Sequence, residues 1–137
     1  MRALVLPIVV PLSTAAILLL APRRPLLQRW IALAGSILLL GSAVVVFRRV
    51  EAEGIQVLQV GGWPAPFGIT LVADLLAAKL AVAVGVVGVA VTGAAFAGVD
   101  PRREGHGYHA LLQILLMGVS GAFLTGDLFN LYVWFEV

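Results

Sequence analysis

Long apolar blocks alternate along this chain with short connections that carry charge and proline. About 20 residues rising about 1.5 Å each are needed to cross a hydrocarbon core about 30 Å thick, and four blocks approach that length. Residues 3–22 hold no charge and run into the breaker Pro22-Arg23-Arg24-Pro25. Residues 30–47 open on an interfacial tryptophan, Trp30, and close at Arg48-Arg49. Residues 70–99 are interrupted only by Asp74 and Lys79 and stop at Asp100-Pro101-Arg102-Arg103. Residues 109–126 form the fourth block, and 127–137 read as the start of a fifth span. The pattern predicts an all-α membrane protein, a polytopic transmembrane helix bundle of four full spans plus an incomplete fifth. The whole of 1–137 reads as a single transmembrane region.

Between the second and third blocks the pattern changes. Ile55-Gln56-Val57-Leu58-Gln59-Val60 is rich in β-branched residues and leads into Gly61-Gly62, which reads as a short strand and turn. Trp63-Pro64-Ala65-Pro66-Phe67 follows as a proline-stiffened aromatic segment suited to a membrane interface. This connection is expected to cover or pack rather than to conduct.

Composition agrees with the pattern. Hydrophobic residues make up 61% of the chain and charged residues 12%, against about 25% charged in ordinary soluble domains. With a mean hydropathy of +1.07 there is too little polar surface to cover a soluble core. The net charge of +2 comes from arginines placed between apolar blocks, not from a basic stripe with aromatics, which argues against a nucleic-acid partner. The absence of cysteine excludes disulfides, thiolate metal sites and thiol catalysis. No cofactor or metal is expected, and no phosphate loop, dinucleotide fingerprint or hydrolase motif is present, so nothing in the motifs argues for an enzyme acting on a soluble substrate. The first block begins Met1-Arg2 as a signal peptide would, but no small-residue cleavage site follows, and a retained span is expected. Arg23, Arg24, Arg29, Arg102 and Arg103 fall after blocks one and three, whereas Arg2, Arg48 and Arg49 fall on the other side. The positive-inside rule then puts the amino terminus and the strand-and-turn connection outside.

The candidate chemistry lies in the polar groups placed at depth. Glu136 is nine residues beyond Asp127, about 13.5 Å along a helix axis and so near the bilayer midplane. An ionised carboxylate there costs several kcal/mol or takes up a proton, which makes it the expected proton-translocating group. Tyr132 shares its helix face four residues earlier and reads as a packing or interfacial aromatic that could also orient the carboxylate. In Thr125-Gly126-Asp127, Gly126 is expected to turn left-handed and Asp127 to cap the next helix. Asp74 reads as a first-turn or capping acid of the third span. Lys79 is about 140° away from it around the helix and either snorkels outward or faces an acid on another helix. His109, Gln113 and Ser120 share one face, with Gly118 and Gly121 nearby. That reads as an interhelical seam in preference to a hydrated proton wire. His106 and His109 read as interfacial anchors, and Ala81, Gly85 and Gly88 as a small-residue packing face.

Two long stretches carry a family resemblance. Gly62-Trp63-Pro64-Ala65-Pro66-Phe67-Gly68-Ile69 with Val72-Ala73-Asp74-Leu75, and Gly121-Ala122-Phe123-Leu124-Thr125-Gly126-Asp127-Leu128-Phe129-Asn130-Leu131 running to Phe135-Glu136-Val137, resemble the D-type subunit of the multisubunit Mrp-type sodium/proton antiporter. The resemblance covers nearly the whole chain but only the opening part of a family member. It implies kinship with the antiporter-like subunits of respiratory complex I. It also implies a multi-pass place in a bacterial plasma membrane, partner membrane subunits in a hetero-oligomer, and exchange of Na+ for H+. The family's essential glutamate maps onto Glu136. Lys79 stands where the family pattern is usually uncharged. The alternatives are a proton-pumping membrane-arm subunit of a quinone-reducing or hydrogenase complex, and a truncated, non-transporting assembly piece.

Overall fold

The computed structural model describes residues 2–22, 24–63, 67–100, 104 and 106–137. The expectations attached to Arg23, Pro64-Ala65-Pro66, Pro101, Arg102 and Arg103 lie outside these residues. A 3-10 turn, Arg2–Val5, leads into α1 (Leu6–Leu20), followed by α2 (Pro25–Glu53), β1 (Gln56–Gln59), β2 (Thr70–Ala73), α3 (Leu75–Gly98), α4 (Tyr108–Leu124) and α5 (Leu128–Glu136).

Local sequence sets most of these limits. Pro25 occupies the first turn of α2, where its missing N–H costs nothing and its fixed φ starts the helix. The helix therefore begins five residues before Trp30 and takes in Gln28 and Arg29. Gln28 Nε2 donates to the Leu18 carbonyl 2.9 Å away, which satisfies one of the orphan carbonyls ending α1. At the other end α2 runs past Arg48-Arg49 to Gly54, whose φ of 79° closes it. Asp74 Oδ1 accepts from the Ala77 N–H at 2.7 Å and starts α3.

The third apolar block thus divides. Residues 70–73, read above as part of a span, form β2 and pair antiparallel with β1 in the register Gln56↔Ala73 to Gln59↔Thr70. The alternation of Thr70, Leu71, Val72 and Ala73 suits a strand buried on one face, and Leu71 and Ala73 point into the core. Gly61 and Gly62, both at positive φ, turn the chain after β1.

Three stretches are long and apolar enough to cross a membrane: Ala3–Leu20, Pro25–Glu53 and Leu75–Gly98. Among the described residues α4 is shorter, at 17 residues or about 25 Å, so the structure supplies three helices of spanning length and not the four expected. Helices α1 to α4 form an antiparallel ring in which each packs on its sequence neighbours and α4 closes back on α1, with α5 leaning on α4. One core cluster marks the hairpin end of the ring: Leu4, Ile8, Val46, Val50, Leu71, Ala73, Ala78, Met117 and Leu124. Leu18, Ala32 and Ala110 mark the opposite end.

Small residues let these helices close. A Cβ on Gly35 would overlap the Thr14 side chain, one on Gly85 would lie 2.7 Å from Leu40 Cα, and one on Gly88 3.0 Å from Leu116 Cδ1. In lipid, where water does not drive helices together, such close backbone approach supplies the dispersion contacts that do.

Candidate functional site: two polar clusters at opposite ends of helix α4

At the hairpin end, Thr125 is extended and bridges Leu71 of β2, and the Gly126 N–H donates to the Thr70 carbonyl at 2.8 Å. Gly126 is not left-handed, contrary to expectation. A side chain there would meet Val72 Cγ2 at 2.6 Å and the Thr70 carbonyl at 3.0 Å, so the position demands glycine for close approach to β2 rather than for φ. Asp127 then caps α5. Its Oδ1 accepts from the Asn130 N–H at 2.7 Å, and Oδ2 accepts from Asn130 Nδ2. The Asn130 N–H, followed by the side-chain amide, holds the Asp127 carboxyl below the usual carboxylate range despite partial burial.

Helix α5 has two unlike faces because residues two apart point about 200° apart. Asn130 and Trp134 face α4; a Cβ on Gly121 would lie 2.5 Å from Trp134 Cε2. Tyr132 and Glu136 lie on the other side and are exposed, amid Leu128, Phe129 and Phe135. Neither makes a side-chain hydrogen bond or ion pair among the described residues. The helix register therefore turns Glu136 away from α1 to α4. Lys79 is also exposed, on the surface of α3, with no ion pair among the described residues, and Asp74 is exposed at its cap.

The opposite end of α4 holds a cluster that sequence reasoning missed. Arg29 Nε donates to Glu104 Oε1 at 2.7 Å and Arg29 Nη2 to Glu104 Oε2 at 3.1 Å, a two-pronged pair. His109 Nε2 lies 3.1 Å from the same Oε1. The side chains of Glu104 and His109 are only 4% and 1% exposed. Arg29's hydrogen bonds, and secondarily His109's, keep the Glu104 carboxyl below the usual carboxylate range against the opposing effect of burial. His109 is therefore no surface anchor. One turn further along, Gln113 Nε2 donates to the Ala32 carbonyl of α2 at 2.9 Å and to Ser36 Oγ at 3.1 Å. Gln113 acts as interhelical glue, as the seam reading expected. Among the described residues no group of three metal-binding side chains is assembled.

Glu104 is hidden in the sequence because it follows Asp100-Pro101-Arg102-Arg103, which reads as a solvated connection. The signal that pointed to it was Pro25: starting α2 there puts Arg29 inside the helix, where its charge needs a partner.

No family model matches the chain. The chain is 41% identical over 133 residues to the D-type subunit of the Na(+)/H(+) antiporter of Bacillus subtilis (strain 168), an alignment that takes in 97% of this chain and 27% of that protein. Over 97% of its length, this chain resembles the D-type antiporter subunit. It is also 39% identical over 140 residues to the D-type subunit of a probable K(+)/H(+) antiporter of Rhizobium meliloti (strain 1021), covering 98% of this chain and 26% of that one. Among solved structures, the Mrp complex from Dietzia sp. DQ12-45-1b holds a chain that superposes with a TM-score of 0.87 at 28% identity, over 99% of this chain and 26% of its own length. The chain spans about a quarter of the length of the antiporter subunits it matches. These likenesses and the three long apolar helices make it a multi-pass membrane protein akin to transporter subunits.

Proposed function

We propose that the chain is the opening part of a proton-coupled monovalent-cation antiporter subunit that works beside other membrane subunits in a bacterial plasma membrane, with Glu136 as its intramembrane proton carrier. The single observation that supports this most is the similarity, over 97–98% of this chain, to about a quarter of D-type subunits at 39–41% identity. Glu136 adds a physical argument. Its helix is capped at Asp127, so the carboxylate stands about 13.5 Å along the axis from the cap. It sits on an apolar face that α1 to α4 leave uncovered. A carboxylate on such a face is costly in lipid, and it is better accommodated by further helices of the longer protein. Protonation then becomes the event that sets how strongly those helices hold it. The named relatives point to Na+ in one case and K+ in the other, so the driving cation is part of the question.

The test is Glu136→Gln in the full-length protein, assembled with its partner subunits in vesicles. Dissipation of an imposed pH gradient by added Na+ or K+ should fall to the vesicle background. Wild-type rates would remove Glu136 from the mechanism.

A further inference from the structure

His109 Nδ1 and Gln113 Oε1 are buried and have no hydrogen-bond partner among the described residues. The orientation of both groups is fixed by chemistry. A carboxylate only accepts, so the His109 nitrogen facing Glu104 Oε1 carries the hydrogen and leaves Nδ1 a bare acceptor when the imidazole is neutral. The Ala32 carbonyl likewise only accepts, so the amide nitrogen of Gln113 must face it and Oε1 must face elsewhere. The two orphaned acceptors thus belong to residues one helical turn apart on the same face of α4, with about 40° between them around the axis. A buried acceptor without a donor forfeits the hydrogen bond that water supplied before folding. A water molecule carries the two donors that this pair of acceptors lacks.

We propose that His109 is a second proton-binding group, loaded through a water molecule held between His109 Nδ1 and Gln113 Oε1. In the neutral state that water donates one hydrogen to each. When a proton arrives on it, the proton passes to Nδ1, an N–H bond forms, and the water stays behind as a neutral molecule. The new Nδ1–H donates to the water or to Gln113 Oε1, Nε2–H continues to donate to Glu104, and no buried group is left unpaired. This explains an otherwise wasteful arrangement: the amide donates with its nitrogen to hold α2 and keeps its oxygen for the imidazole.

The charges facing His109 determine how long the proton stays. Glu104, from the connection before α4, favours the loaded ring. Arg29 of α2 opposes it through the shared carboxylate, and the amino-terminal end of α4 opposes it through the helix dipole. From α1 the neighbouring contribution at this end is apolar, Leu18 beside Ala110. The aromatic ring of Tyr108 packs edge-on to the imidazole, and Asp100 and His106 of the same connection are engaged in contacts of their own. The loaded ring completes a row of one anion between two cations at one end of the helix bundle. The role as an entry point to transport rests on the antiporter reading. The titration of His109 does not.

The experiment uses the full-length protein in its complex, in lipid nanodiscs, with ring-15N histidine. The His109 signals are assigned by their loss in His109→Gln. We expect Nδ1 to show magnetisation transfer from water and to gain a hydrogen on acidification. Gln113→Leu should abolish the water transfer while leaving the histidine in place, and His109→Asn supplies the assignment if His109→Gln does not assemble. In vesicles, either variant should change the pH profile of antiport relative to wild type. A His109 Nδ1 that is dry and takes up no hydrogen on acidification overturns the proposal. Glu136→Gln must leave the His109 titration intact, so loss of antiport through Glu136 and failure of the His109 site are read separately.

Discussion

Two alanine substitutions three residues apart on α4 should have opposite effects. At Gly118 a Cβ would meet the Trp134 carbonyl at 3.4 Å and Val137 at 3.9 Å, which is ordinary contact. Gly118→Ala there keeps the packing and gains the helix preference of alanine over glycine, about 1 kcal/mol. At Gly121 the same Cβ would overlap Trp134 Cδ2 and lie 2.5 and 2.6 Å from two further atoms of that ring. Carbon pairs rest at about 3.5–4.0 Å, so the overlap approaches 1 Å against a rigid indole. Overpacking of this kind costs about 1–3 kcal/mol. Set against the same helix gain, Gly121→Ala should lose about 1 kcal/mol net, and it must push α5, with Glu136, away from α4. Thermal unfolding of the full-length protein in nanodiscs measures both signs. Trp134→Ala should erase the penalty, because neighbouring residues couple and this pair shares one contact. If Gly121→Ala is as stable as Gly118→Ala, or if Trp134→Ala does not rescue it, the α4–α5 packing is other than this.

Asp127→Ala should cost about 1 kcal/mol by removing the cap, whereas Asp127→Asn, which can still accept from the Asn130 N–H, should lose only a few tenths. The Asp127 carboxyl is held below its ordinary range, so its contribution is complete above that range and is lost as pH falls through the lowered value; in strong acid the wild type should converge on Asp127→Ala. Glu104 follows the same sign, since Arg29 holds its carboxyl low. Glu104→Gln should lower the unfolding temperature at neutral pH, and the gap to wild type should shrink on acidification below about pH 4, read by the same melts.

Features set by local pattern were legible in the sequence. Apolar length located the helices though not their ends, since α2 runs from Pro25 to Glu53 past the 30–47 block, Asp74 and Asp127 stood where caps belong, and Gly61-Gly62 marked a turn. What escaped depended on contacts between distant residues. Thr70 to Ala73 are as apolar as the helix that follows, and only the pairing with Gln56 to Gln59 makes them a strand. Gly126 looked like a helix stop, yet its glycine is demanded by Val72, over fifty positions away in sequence. Glu104 looked solvated because its partners, Arg29 and His109, belong to two other elements. For Glu136, the helix phase and the capped start follow from nearby residues, whereas whatever covers its face does not.

The most direct measurement is cation-driven proton movement in vesicles containing the assembled full-length protein, wild type beside Glu136→Gln, with unfolding temperatures matched to show that both are intact. The account predicts that the variant conducts no Na+- or K+-driven exchange above empty vesicles. An intact variant that exchanges at the wild-type rate would contradict it.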